Sequence, residues 1–157
     1  MVNKKFLLVI PVMALVLGIT FVGCNDDSLA NDPALIGTWA REDEFNEFIK
    51  FDGSNIEVSI DDISFAKGTY TANAGIITFT YTQVKCLAVI DGEIRGNKFK
   101  WYSKNEKSEL INAYLEIDSD MYEVAEAIVE NMFTPHVVAY SVNGNTLSFE
   151  GEYYYKK

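Results

Sequence analysis

From residue 35 onward the dominant pattern is strict alternation of apolar and polar positions. "NIEVSID" sets Ile56, Val58 and Ile60 against Glu57, Ser59 and Asp61, and "GIITFTYTQ" sets Ile77, Phe79 and Tyr81 against Thr78, Thr80 and Thr82. "HVVAYSV" gathers Val138, Tyr140 and Val142 on one face, and "TLSFEGEYYY", read as one run, gathers Leu147, Phe149, Tyr153 and Tyr155. A period of two is that of a half-buried strand, and threonines and aromatic rings suit a pleated surface. Turn chemistry separates the runs: "DGSN" at 52–55, "TANAG" at 71–75, "RGNK" at 95–98 and "NGN" at 143–145. The Asn-Gly pair supplies the positive φ that a tight hairpin needs. The pattern predicts an all-β fold of eight to ten strands with short links, an antiparallel meander barrel in one domain over 35–157.

One segment breaks the alternation. "SDMYEVAEAIVENMF" (119–133) places Met121, Val124, Ala125, Ile128 and Met132 at helical spacing, with Asp120 and Glu123 at capping-box spacing. It predicts one amphipathic helix before the last hairpin. "SELINAYLEI" just ahead of it suits either a strand, by the alternation of Ile111, Ala113, Leu115 and Ile117, or a helix, by composition.

The N-terminal 34 residues follow another logic. Lys4 and Lys5 precede "FLLVIPVMALVLGITFV", which carries no charge over 6–22. That is the layout of a secretory signal peptide. A retained transmembrane helix is the alternative, at the lower edge of the ~17–25 residues needed to span, with Pro11 inside it. "Phe21-Val22-Gly23-Cys24" resembles the lipobox of bacterial lipoproteins, with Phe21 where leucine is usual. The resemblance implies cleavage after residue 23 and diacylglyceryl transfer to the Cys24 thiol. It thereby implies a signal peptide over 1–23, a lipidated cysteine with a polar tether over 24–34, and a place in the bacterial cell envelope. "NDDSLANDPA" reads as a solvated tether. More than one acyl chain is what stable anchoring requires, at ~0.8 kcal/mol per buried CH₂.

The formal net charge is −10, and loss of Lys4 and Lys5 makes it two units more negative. Such a surface repels phosphates, so no nucleic-acid partner is expected, and contact with lipid should run through the anchor. With Cys24 committed to lipid, Cys86 has no intrachain disulfide partner and reads as a small buried hydrophobe.

At "LIGTWA" the chain resembles the lipocalin-like domains of bacterial lipoproteins, with Gly37-Thr38-Trp39 at the place of their Gly-x-Trp. "KGTY" (67–70) and "YSVNGNTLSF" (140–149) are similar to the same domains. The resemblance implies a barrel able to hold a small apolar molecule, with Gly37 admitting a close backbone and Trp39 packed across the closed end. The family sets an arginine late in the chain against that Trp. Here the arginines are Arg41 and Arg95, neither of them late.

The inventory of chemistry is short. His136 is the only histidine and, following Pro135, reads as a surface residue. Glu42, Asp43 and Glu44, the pair Asp61 and Asp62, and the pair Asp118 and Asp120 fall at turns and strand ends, where a solvated acidic rim is expected. No P-loop, nucleophile elbow or EF-hand spacing occurs. We therefore expect no enzyme, no cofactor and no metal site. The ligand-binding residues expected in the interior are Phe79, Tyr81, Tyr140, Phe149, Tyr153 and Tyr155. Buried phenols need partners, so their shared face predicts an amphipathic cavity. The alternative is a filled barrel that acts as a protein-interaction module, since a barrel of this size is either filled by its own side chains or holds one ligand.

Overall fold

The computed structural model of the chain describes residues 31–41, 46–90 and 93–157. The signal segment, Cys24, most of the tether and the carboxylates Glu42, Asp43 and Glu44 lie outside the described residues.

Eleven strands are described: β1 (Gly37–Arg41), β2 (Glu47–Asp52), β3 (Asn55–Ile60), β4 (Ile63–Asn73), β5 (Ile76–Val84), β6 (Leu87–Ile90), β7 (Glu93–Gly96), β8 (Tyr102–Ser103), β9 (His136–Asn143), β10 (Thr146–Phe149) and β11 (Glu152–Lys156). Eight of them close an antiparallel barrel in the order β1-β2-β3-β4-β5-β9-β10-β11, with β11 returning to β1. The excursion between β5 and β9 holds the β6–β7 hairpin, β8 and two helices, α1 (Lys107–Ile117) and α2 (Tyr122–Met132). The all-β meander barrel is thus the observed fold.

Tight turns set the register. Asp61 and Asp62, Ala74 and Gly75, and Glu150 and Gly151 are the central residues of two-residue hairpins, each with positive φ at both positions. That is the geometry whose twist matches the flanking strands. The β9–β10 turn centres one residue later than the Asn143-Gly144 pair suggests, on Gly144 and Asn145, with Gly144 at φ +59°.

Two helices stand where the spacing predicts one. α1 resolves the ambiguous segment: Leu110 and Tyr114, one turn apart, are both buried, which places them on one helical face. Its approach is fixed by a capping box in which Glu106 Oε2 accepts from the Ser103 amide (3.0 Å) and hydroxyl (2.8 Å). α2 is shorter than the 119–133 span, because Ser119–Met121 forms a 3-10 turn. Asp118 Oδ1 accepts from the Asp120 amide at 2.9 Å there.

One barrel end is closed by the stretch ahead of β1. The Asn31 side chain bridges Gly53 O and the Ala72 amide at 2.8 and 3.1 Å, and Leu35 is fully buried. Trp39 is also fully buried, and its Nε1 donates to Leu35 O at 2.7 Å. Lys156 is paired with Trp39 across β11 and holds its ammonium 5.2 Å from the indole centroid. A late cation does therefore meet this Trp, as a lysine. Gly37, at φ +134°, lies against the same Lys156 side chain, whose Cε would be 3.1 Å from an added Cβ.

Candidate functional site: the barrel interior and the surfaces around it

The inward rings touch one another along the bore. Phe51 meets Tyr70 at 4.9 Å and Phe149 at 6.3 Å between centroids, and Phe149 meets Phe79 at 5.8 Å. Phe79 meets Tyr81 at 5.3 Å. Ile49, Ile56, Ile77 and Leu147 are buried among the same core residues. Eight strands enclose a bore that side chains can fill or leave open, and these rings and aliphatic chains pack against one another in it. Of the interior residues expected to bind a ligand, Phe79, Tyr81, Tyr140 and Phe149 face inward and belong to this buried cluster.

Tyr153 and Tyr155 do not face inward; they are 61 and 50 % exposed, and Tyr154 is the buried one. Reading "TLSFEGEYYY" as one strand misses the turn at Glu150 and Gly151. That turn pairs Leu147 with Tyr154 and Ser148 with Tyr153. Paired residues share a face, so the inward set is Leu147, Phe149 and Tyr154. His136 also departs from expectation: it is 3 % exposed, stacked on Phe79 at 4.9 Å, with Nε2 3.1 Å from Asn131 O. Burial lowers its pKa, against a smaller raising effect of the Asn131 carbonyl. The period of two explains it, because position 136 precedes the inward Val138 and Tyr140 in the same alternation.

Polar groups inside the barrel are concentrated at its two ends. At the closed end Tyr140 donates to Asp32 Oδ2 at 2.8 Å, and burial, with Asp32 beside it, pushes the phenol up to about 12. At the other end Tyr154 donates to Glu47 Oε1 at 3.0 Å, and Arg41 Nη2 lies 2.9 Å from Glu47 Oε2. Glu47 is 7 % exposed. Nearby, burial and then the charge of Glu47 raise Glu150 to about 7, and its Oε1 is buried without a hydrogen-bond partner among the described residues.

That carboxyl makes stability depend on pH. Its folded pKa lies above the ordinary value of 4.5, so the folded state keeps a proton that the unfolded chain releases. Stability therefore falls as pH rises through that window and levels off above about 7. Glu150→Gln is expected to melt with the wild type at about pH 4 and several degrees above it at about pH 8. A thermal melt at both values checks this, and a gain at the acidic end alone would contradict it.

The carboxylate pairs sit at turns, as expected. Asp61 and Asp62 are a hairpin turn, with Asn46 Nδ2 donating to Asp61 Oδ1 at 3.2 Å, and Asp118 holds the turn before α2. Among the described residues no group of three metal-binding side chains converges, and no helix is long and apolar enough to cross a membrane.

Outside the bore two surfaces stand out. A cleft of about 530 Å³ lies beside the barrel, between the 96–99 stretch and α1. Cys86, Tyr102, Ala113 and Ile117 line it, with Lys98 and Glu116 as its charges. Phe99, in its lining, is 92 % exposed. Burial pushes the Cys86 thiol up to about 12, which keeps it protonated. Near Phe99 in sequence, the Trp101 ring has the ammonium groups of Lys67 and Lys85 at 4.8 and 4.7 Å from its centroid.

The second surface is the outer wall of β5, β9, β10 and β11. Alternation points Ile76, Thr78 and Thr80 of β5, Val137, Ala139 and Ser141 of β9, Thr146 and Ser148 of β10, and Tyr153 and Tyr155 of β11 away from the bore. None carries a charge, whereas the outer face of β2 and β3 carries Lys50 and Glu57. Ile76, Val137, Tyr153 and Tyr155 are each at least 44 % exposed.

No protein family matches the chain, and neither does any curated protein or solved structure.

Proposed function

We propose that the chain is a non-enzymatic, lipid-anchored protein of the bacterial cell envelope whose filled barrel is a rigid interaction module. The observation that carries the reading is the uncharged outer wall of β5, β9, β10 and β11, with four large apolar side chains exposed on it. Rigid tyrosines over serine and threonine give adaptable contacts at low entropic cost. Rings in mutual contact along the bore support a reading in which the work falls to the outside. The test is a photoreactive amino acid placed at Tyr155, with Ser59 on β3 as the comparison site, in intact cells. Adducts at 155 and none at 59 support the wall as a docking surface; equal yields contradict it.

The anchor rests on the charged, apolar, small-residue and cysteine order of residues 4–24. Cys24→Ser is expected to abolish labelling by an alkyne fatty acid and to leave the precursor uncut. Labelling that persists in the variant contradicts the assignment.

A second reading has its own observation. The cleft lined by Cys86, Phe99, Tyr102 and Ile117, at about 530 Å³, falls within the ~300–1,000 Å³ of small-molecule sites. On this reading a small, mostly apolar ligand binds in that cleft beside the barrel, against Tyr102 and Ile117. Loss of probe binding in Ile117→Asp, with binding intact in Tyr140→Phe, is the result this reading requires.

A further inference from the structure

We infer that the cleft between the 96–99 stretch and α1 takes a short apolar peptide with both termini free, its carboxylate on Lys98 and its ammonium on Glu116. The inference rests on the second reading above, of a ligand in this cleft, and names its chemistry.

Opposite charges stand uncommitted on the two walls. Lys98 belongs to the 96–99 stretch and Glu116 to α1, and both line the cleft. Among the described residues neither forms an ion pair, with the other or with a third group. The neighbouring cations are taken: Lys100 by Glu109 at 2.5 Å and Arg95 by Glu93 at 3.8 Å. A lone anion on Lys98 would meet Glu116 as a like charge, and a lone cation on Glu116 would meet Lys98 as one. A ligand with both charges satisfies both walls. Lys98 and Glu116 stand too far apart to pair directly, which favours a peptide over a single amino acid, whose two charges share one carbon.

Between the charges the lining is apolar. It includes Cys86, Tyr102, Ala113 and Ile117, and burial with the charge of Glu116 keeps the Cys86 thiol protonated. Ala113, Glu116 and Ile117 share one face of α1 by their spacings of three and four, so the carboxylate stands beside apolar surface.

The other wall is held in place before any ligand arrives. Gly96 runs at φ +114°, and a Cβ there would sit 2.1 Å from Cys86 O and 3.0 Å from Ile117 Cδ1. The Asn97 amide donates to Cys86 O at 2.9 Å. Asn97 Oδ1 accepts from the Phe99 and Lys100 amides at 3.0 and 2.9 Å. These bonds fix the backbone on both sides of Lys98 and beneath the exposed Phe99 ring. A wall ordered in advance loses little entropy on binding.

The test is a calorimetric titration of the full-length protein, in neutral-lipid nanodiscs, with leucyl-phenylalanine, its N-acetyl form and its C-terminal amide. The free dipeptide is expected to bind, and each capped form about 5-fold more weakly, as loss of an exposed ion pair allows. Lys98→Gln should erase the penalty for the amide and keep that for the acetyl group; Glu116→Gln should do the reverse. A general loss of packing would not sort the two caps in this way. Equal affinities for the three forms, a penalty for one cap alone, or penalties unchanged in both variants overturn the inference. If Ile117→Asp abolishes binding of a fluorescent apolar probe while the dipeptide does not bind, the cleft reading stands and the peptide fails. If the probe is also indifferent to Ile117→Asp, both fail.

Discussion

Replacing Trp39 by alanine is expected to destabilise the domain by about 3–5 kcal/mol. The indole is fully buried at the closed end, hydrogen-bonded to Leu35 O at 2.7 Å and covered by the Lys156 ammonium. Truncation leaves a cavity, orphans a buried carbonyl and unseats the stretch that closes the barrel. Against a typical total of ~5–15 kcal/mol, that loss leaves a domain marginal or unfolded. Urea denaturation followed by circular dichroism measures it. A midpoint equal to wild type would mean that Trp39 does not hold the closed end.

Gly68→Val is expected to be at least as damaging, for a different reason. A Cβ at position 68 would sit 2.1 Å from Thr80 O and 2.8 Å from both Thr80 C and Tyr81 Cα. All three are backbone atoms of β5, so no side chain can swing aside. The clash falls at the irregularity between Lys67 and Gly68, where the β4–β5 register shifts. Ordinary overpacking costs ~1–3 kcal/mol; this substitution also parts two strands of the barrel. The expected outcome is insoluble or unfolded protein. Gly53→Ala is the control, with nothing within 4 Å of the added Cβ and only its φ of +59° to strain. A folded Gly68→Val protein melting near wild type would contradict the β4–β5 pairing.

Much of the fold is legible in the chain. Alternation over 56–61 and 76–82 marks strands whose inward residues Ile56, Val58, Ile77, Phe79 and Tyr81 are those the barrel buries. The departures have local causes. Alternation sends Tyr153 and Tyr155 to the wrong face because a Glu-Gly turn carries a weaker signal than Asn-Gly, and Glu150 occupies a positive φ of 55° that glutamate rarely adopts. Side-chain chemistry puts His136 at the surface, although its parity with Val138 places it inside. Alternation alone leaves the "SELINAYLEI" segment undecided, and the Ser103 and Glu106 pair caps the 3-10 turn that leads into its helix. The pairing of Tyr154 with Glu47 joins residues 107 apart, and no local pattern holds such a contact. The uncharged wall likewise arises only when four strands are laid side by side.

The central claim is that the barrel is filled by its own rings and acts through its exterior. The most direct measurement is a titration of the delipidated protein with a fluorescent apolar probe, repeated on Tyr81→Phe, Tyr140→Phe and Ile117→Asp. A filled barrel predicts that neither tyrosine variant changes the binding curve, and that whatever binding exists is lost in Ile117→Asp. Saturable binding that shifts with Tyr81→Phe or Tyr140→Phe, and survives Ile117→Asp, would place the ligand inside the barrel and contradict it.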